Sequence, residues 1–195
     1  MADYEIRVAE ASEGDAVLET LMLAFSSDPC MRYLLATPRA FFKGFRPFAT
    51  GMGGAALAAG TAWLAEEGAA AALWLPPGIT SDRDAMLAVV GELAREEKLP
   101  VLGEVGDAMA GYHPEEPHWY LAMIGVDPAL QGRGYGSAIL KQSLRACDED
   151  GVMAYLESSN PKNVPLYERY GFEVMGHVQP GDFPGIYPMI RPARS

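Results

Sequence analysis

Val126 to Ser137 reads VDPALQGRGYGS, an Asp-Pro break followed by glycines on alternate positions, Gly132, Gly134 and Gly136. Glycine has no Cβ to block a ligand and reaches backbone angles that other residues resist. Such a run can turn successive N–H groups toward one point. The stretch after it, Ser137 to Cys147, places Gly136, Leu140, Leu144 and Cys147 on one stripe and leaves Lys141 and Arg145 off it, which predicts a helix. The positive end of that helix adds to the same concavity, so the expectation is a cradle for an anion such as a pyrophosphate. The stretch before the loop, His118 to Val126, lacks a strong breaker until Asp127-Pro128 and predicts a strand.

Two familiar phosphate loops do not fit. A dinucleotide fingerprint wants a small residue in its last glycine place, near the start of a βαβ unit, with an acidic residue about 20 positions on. Here Ile139 occupies that place and the motif lies two thirds of the way along the chain. The G-K-[ST] ending of a Walker A loop is absent from the sequence.

The pattern that does fit is Gln/Arg-x-x-Gly-x-Gly/Ala, here Gln131, Gly134 and Gly136. A strand ending Met123-Ile124-Gly125-Val126 precedes it, and Asn160 and Leu166-Tyr167-Glu168-Arg169-Tyr170-Gly171-Phe172 follow it. In that order and spacing the chain resembles the GNAT superfamily of acetyl-coenzyme A dependent N-acetyltransferases, closely over roughly the last 80 residues and loosely elsewhere. A Gly-rich turn with no ligand is the competing reading. The resemblance implies an α+β fold: one mixed, mostly antiparallel twisted sheet of about seven strands, helices on both faces, and a splay between the fourth and fifth strands. Within the superfamily, Glu116 to Ala122, Leu156-Glu157-Ser158, Asn163 to Arg169 and Ala24 to Pro29 look like the puromycin N-acetyltransferase group. That likeness implies a small-molecule amine acetylator without naming the amine.

At 195 residues the chain suits one domain with its own core, taken as residues 1–195. Hydrophobic residues make up 49% and charged residues 21%, an ordinary globular balance. The net charge of −11, from 26 acidic residues against 15 Lys and Arg, disfavours nucleic acid as a main partner and weakly favours a cationic amine. Cys30 and Cys147 are the only cysteines, and neither has metal-ligand spacing, so no metal site is expected. Met1 to Val8 shows no signal peptide, and the thiols read as reduced in a cytoplasmic protein. Pro47 to Ala65 is uncharged, but its many alanines and glycines read as a helix end, a turn and a strand start rather than a membrane span. Homodimerisation is left open.

Along the chain, Tyr4 to Val8 alternates as a strand, and Ser12 with Asp15 predicts the cap of a helix that turns Ala16, Leu18, Leu21, Met22 and Phe25 inward. Asp28-Pro29 breaks it, and Met31 to Ala36 reads as a second short helix. Pro38 to Ala59 is largely helical, with Phe41, Phe42, Phe45 and Phe48 as a core stripe. Thr61 to Ala65 and Ala69 to Leu75 form a hairpin around Glu66-Glu67-Gly68. Ser81 is expected to cap a helix running to about Lys98, with Met86, Leu87, Val90, Leu93 and Ala94 inward, and a weaker helix covers Val101 to Tyr112. On the strand His118–Val126, strict alternation puts His118, Tyr120, Ala122 and Ile124 on one face and Trp119, Leu121 and Met123 on the other. Met153 to Glu157 is the next strand, Asn163 should cap the last helix, and Glu173 to Val178 and Ile186 to Ile190 close the sheet.

The resemblance also assigns the chemistry. It implies that Ile124, Gly125 and Val126 pair with the pantetheine arm, as an amide-bearing chain can with strand backbone. It implies that Gln131, Gly132, Arg133, Gly134, Tyr135, Gly136 and Ser137 surround the pyrophosphate, with Asn160 on the same coenzyme side. Arg133 reads equally as a phosphate contact or a solvated loop residue. Tyr167 matches the family tyrosine that protonates the leaving thiolate. The base is open between His118, whose imidazole titrates near neutrality, and Glu157 at the end of the fifth strand. Serotonin N-acetyltransferases carry two histidines where this chain has His118 and Tyr120. Phe25, Asp28, Arg32, Tyr33, Tyr120 and Glu157 are the acceptor-pocket candidates. The activity implied is direct acetyl transfer to a primary amine of a small molecule. A catalytically silent acyl-coenzyme A sensor and a protein N-terminal acetyltransferase are the alternatives.

Overall fold

The computed structural model describes residues 4–194, so Met1 to Asp3 of the leader reading lie outside it. Ile6–Val8 is strand β1, and an N-terminal 3-10 turn leads into helix α1 (Gly14–Ala24). That turn is closed by Glu13, whose carboxylate accepts the Glu10 amide at 2.8 Å, rather than by Ser12. The helix is therefore rotated from the expected stripe: Val17, Leu18, Thr20 and Leu21 are buried and Ala16 faces solvent. Pro29 does not merely break the chain. It occupies the first turn of α2 (Pro29–Leu34), where a missing N–H costs nothing, and Asp28 caps it by accepting from the Met31 amide at 2.9 Å.

Helix α3 (Pro38–Gly53) and α4 (Ala55–Ala59) divide the uncharged stretch, and Gly60 at φ 69° ends it in the left-handed region. Among the described residues no helix is long and apolar enough to cross a membrane. The hairpin β2 (Ala62–Ala65) and β3 (Ala70–Leu75) forms as expected. Helix α5 (Arg83–Leu93) is capped by Asp82, which accepts from the Ala85 amide at 3.0 Å. The expected cap, Ser81, instead donates to the Met52 carbonyl at 2.6 Å. The helix stops short of Lys98, and α6 (Leu99–Tyr112) is a full 14-residue helix with Pro100 in its first turn. Val89 is buried and Leu87 exposed, reversing part of the expected inward set.

The remaining elements are β4 (His118–Val126), α7 (Tyr135–Asp150), β5 (Met153–Ser158), α8 (Val164–Arg169), β6 (Glu173–Val174) and β7 (Tyr187–Arg191). Asn160, not Asn163, caps the turn leading to α8, by accepting from the Lys162 amide at 3.1 Å. The expected long strand from Glu173 is cut to two residues, continued only by the Val178–Ile186 bridge. The seven strands run in the order β1-β2-β3-β4-β5-β7-β6, with β4 and β5 parallel and every other neighbour antiparallel. One face packs on α1 and α3 through Phe41, Phe45, Leu64 and Leu73; the other packs on α7 and α8 through Trp74, Leu121, Ile139 and Leu140.

Two departures from regular pairing meet at one place. The β3–β4 register runs Leu73 to Met123 and then Trp74 to Leu121, leaving Ala122 as a bulge. An extra residue flips the alternation beyond it. Tyr120 and Met123 thus share the α1–α3 core, while Trp119, Leu121 and Ile124 share the α7 core, against the strict alternation read from sequence. The β4–β5 pairing runs only from His118–Met153 to Leu121–Leu156. Past it, Ala122 to Val126 have no β5 partner, although Glu157 and Ser158 continue to pair with Pro188 and Tyr187 on β7. This is the expected splay.

Gly125 lies in the splayed half, and its lack of a side chain is explained by α1: a Cβ there would stand 2.4 Å from the Ala24 Cβ. Gly125→Ala is expected to push α1 off the sheet and destabilise the fold by about 1–3 kcal/mol, the usual cost of overpacking a close contact. Urea denaturation with an unchanged m-value checks it.

Candidate active site

The splay opens one end of a cavity of about 2040 Å³, larger than the about 300–1,000 Å³ of an ordinary single-ligand pocket. Its walls come from the β4–β5 cleft, the loop before α7, the start of α8, and the helices α2, α5 and α6. Ile124, Gly125, Val126, Gln131, Gly132, Gly134, Tyr135, Gly136, Ser137 and Asn160 all line it, as do Tyr167, His118, Phe25, Asp28, Tyr120 and Glu157. Three expected residues do not. Arg133 lies outside the lining, its carbonyl accepting from the Tyr4 hydroxyl. Tyr33 donates to Asp182 Oδ1 at 2.6 Å, with the Lys98 ammonium 4.6 Å from its ring centroid, so it ties α2 to the loop before β7. Arg32 also turns away, donating to the Ala36 carbonyl at 3.0 Å.

The loop at one end is open and ends at a helix N-terminus. Gly132 and Gly134 take φ of 76° and 97°, and a Cβ at Gly132 would meet nothing within 4 Å. Gly134 caps α7, and the first amides of a helix have no intrahelical acceptor. Tyr135 is held by the Tyr4 ring, 4.2 Å away between centroids. Ser137 and Tyr170 are joined hydroxyl to hydroxyl at 2.6 Å. Gln131 reaches back to the Val126 carbonyl at 3.5 Å, closing the loop against the strand end.

Glu157 stands one residue past the last β4–β5 pair. Tyr120 and Tyr155 donate to its two oxygens, each at 3.2 Å. Desolvation pushes its pKa up to about 7, only partly opposed by those two donors. His118 is placed differently. Its Nδ1 lies 2.8 Å from the Glu116 carbonyl, which accepts only, so the proton of the neutral ring belongs on Nδ1. The remaining lone pair, on Nε2, points at His113 Nε2, 3.2 Å away. His113, which the sequence pattern did not single out, also packs edge-on against Tyr120 and Tyr155; burial and the neighbouring imidazole lower its pKa. A histidine closing a helix at a strand entrance offers no periodic signal.

Tyr167 is buried, edge-on to Phe172 with ring centroids 6.1 Å apart. Its hydroxyl bonds to no other described residue. Burial, with a contribution from the Asp28 charge, raises its pKa, so the phenol keeps its proton. Asp28 has both oxygens engaged, one as the α2 cap and the other by Ser159 Oγ at 2.5 Å, and burial raises its pKa as well.

Residues 103–172 match the family model described as Acetyltransferase (GNAT) family. The fold is the GNAT fold. The solved structure of histone acetyltransferase HPA2 and related acetyltransferase from Corynebacterium glutamicum superposes with a TM-score of 0.70 at 24% identity, covering 100% of this chain and 98% of that one. Arylalkylamine N-acetyltransferase 2 from Aedes aegypti gives 0.66 at 14% identity, covering 99% and 100%. An uncharacterised N-acetyltransferase of Schizosaccharomyces pombe is 29% identical over 181 residues, 84% of this chain and 72% of that protein. A mycothiol acetyltransferase of Mycolicibacterium gilvum is 35% identical over 80 residues, and the match spans only 26% of its length. The family-model match is confined to residues 103–172, and the solved neighbours share the fold.

The carboxyl of Glu157 gives a pH-dependent stability. A raised acid pKa contributes stability that is present below the ordinary value of 4.5 and lost as the pH rises through about 7. Glu157→Gln, which never ionises, is expected to melt close to the parent at pH 5 and above it at pH 8.5. The difference should be at most on the order of 3 kcal/mol. Calorimetric scans at the two pH values check it.

Proposed function

We propose that the chain is an acetyl-coenzyme A dependent N-acetyltransferase that transfers acetyl directly to a primary amine of a small molecule. One observation carries the reading: an unpaired half-strand, a glycine loop at a helix N-terminus, a protonated phenol and a carboxyl titrating near 7 all open into a single cavity. The volume suits two ligands side by side, which a direct transfer needs. The residues fit acetyl-coenzyme A. The loop from Gln131 to Ser137 takes the diphosphate, and the free edge of Ile124 to Val126 takes the amides of the arm, with Asn160 on the same side. Bound there, the cosubstrate supplies a thioester carbonyl for the amine to attack.

Glu157 serves as the base. The amine nitrogen forms its bond to the carbonyl carbon and loses a proton to this carboxylate, directly or through a water. Tyr167 serves as the acid: the C–S bond breaks toward sulfur, and the phenol, kept protonated by burial, donates to the departing thiolate. His118, the first choice from sequence, is set aside because its one lone pair is engaged by His113. Tyr120 and Tyr155 hold the Glu157 carboxylate in place, while Asp28 fixes α2 against the end of β5 and keeps negative charge beside Tyr167. Phe25 contributes apolar wall. The resemblance to puromycin N-acetyltransferases and the likeness in fold to the arylalkylamine N-acetyltransferase of Aedes aegypti both favour a small amine over a protein N-terminus.

Tyr167→Phe is expected to lower kcat by about 10²–10⁴ while leaving the Kd for acetyl-coenzyme A within a factor of two. Glu157→Gln is expected to lose a similar factor and to flatten the rise of kcat/KM through about pH 7, whereas His118→Ala keeps that rise. Thiol release followed from pH 5.5 to 9 decides between the two bases. A chain that binds the coenzyme and releases no thiol with any amine would be the silent sensor instead.

A further inference from the structure

Opposite the β4–β5 cleft, the cavity changes character. Its carboxylates, Asp28, Glu115, Glu116 and Glu157, come from the start of α2, the entrance to β4 and the end of β5. The α5–α6 wall carries Met86, Val90, Leu102, Val105 and Met109, and its one charged lining residue among those described is Arg83. Ile79 and Leu87 line the same side and remain 38% and 53% exposed, large apolar side chains held open at a cleft mouth. Two helical glycines, Gly103 and Gly106, face this space, and a Cβ on either would meet no atom within 4 Å. Glycine costs an exposed helix stability, and no neighbouring atom explains these two. What they leave is room beside bare helix backbone. Phe183 and Ile186, from the loop before β7, complete the apolar side.

We infer that the acceptor is a primary amine carrying a bulky aromatic or branched apolar body, with its ammonium toward Glu157 and its body against the α5–α6 wall over Gly103 and Gly106. This rests on the acetyl-transfer reading of the same cavity. A second cation at the far end of the acceptor would face Arg83 and hydrocarbon, with no carboxylate on that wall. A polyhydroxylated amine would bury hydroxyls there without partners, and each unpartnered polar group costs free energy. An apolar body gains by leaving water and covers side chains that are otherwise wet.

The test measures thiol release from acetyl-coenzyme A with tryptamine, agmatine, glucosamine and ethylamine, for the parent and for Gly106→Leu. Tryptamine is expected to exceed agmatine and glucosamine in kcat/KM by about tenfold or more, the scale of a few unmatched polar contacts. Gly106→Leu should cut the tryptamine-to-ethylamine ratio about fivefold or more by filling the space beside α6, without lowering the Tm, since leucine is the better helix former. Agmatine or glucosamine matching tryptamine overturns the inference while leaving acetyl transfer intact. An unchanged ratio in a Gly106→Leu protein of undiminished Tm overturns the placement on α6. Coenzyme binding by calorimetry with no thiol released from any of the four amines sinks the acetyl-transfer reading, and this inference with it.

Discussion

The site depends on β4 being pulled two ways at Ala122. Up to Leu121 the strand pairs on both sides, with β3 and with β5. At Ala122 the β3 register slips by one, and there the β5 pairing also ends. A bulge adds local twist and bends the strand that carries it, so one insertion both redirects the side chains and parts the two strands. Helix α3 sits against the spot: a Cβ on Gly53 would stand 3.0 Å from Leu73 and 3.1 Å from Ala122. The opening is thus fixed from behind by the core, and a half-strand with unspent backbone hydrogen bonds is left facing the cavity.

From that break the placement of chemical groups follows. Glu157 is the first residue of β5 beyond the shared register, close enough to the sheet core to be desolvated and close enough to the gap to meet a ligand. Tyr120, just before the break, and Tyr155, paired with it across the strands, present their hydroxyls to the same carboxylate. Asp28 joins Ser159 to α2, so the helix that walls the acceptor side is anchored to the loop that ends β5. Glu157 and its two phenol partners all stand on strands, and that limits how far they can wander from one another.

Much of this was legible in the sequence, and the reasons for the gaps are physical. The glycine loop, the boundaries of β4 and the hairpin before it carry local signals: positive-φ residues, Asp-Pro, and an acidic turn between apolar runs. The caps were misplaced by one to three residues because Ser12, Ser81 and Asn163 each stand beside a better or better-placed acceptor, and only tertiary contacts decide which wins. Ser81, for instance, is taken by the Met52 carbonyl. The alternation along β4 failed beyond Ala122 because a bulge has no signature in a strand of ordinary residues. Gly125 was expected to pair with a pantetheine arm, and what its missing Cβ makes room for is Ala24 of α1.

The choice of base shows the same limit at the level of chemistry. Residue type favoured His118, since imidazole needs no environment to titrate near neutrality. Environment reverses the order. The histidine spends one nitrogen on a carbonyl and aims the other at His113, whereas the carboxyl of Glu157, unremarkable in solution, is carried to about 7 by burial against the opposing pull of two phenol donors. A buried acid at that pKa is also the group that costs the fold stability when it ionises, so it persists against the grain of packing. Under the proposed function that cost is intelligible: the ionised form would be the one that takes a proton from an amine, and the cavity beside it keeps a wall of hydrocarbon for the rest of the molecule.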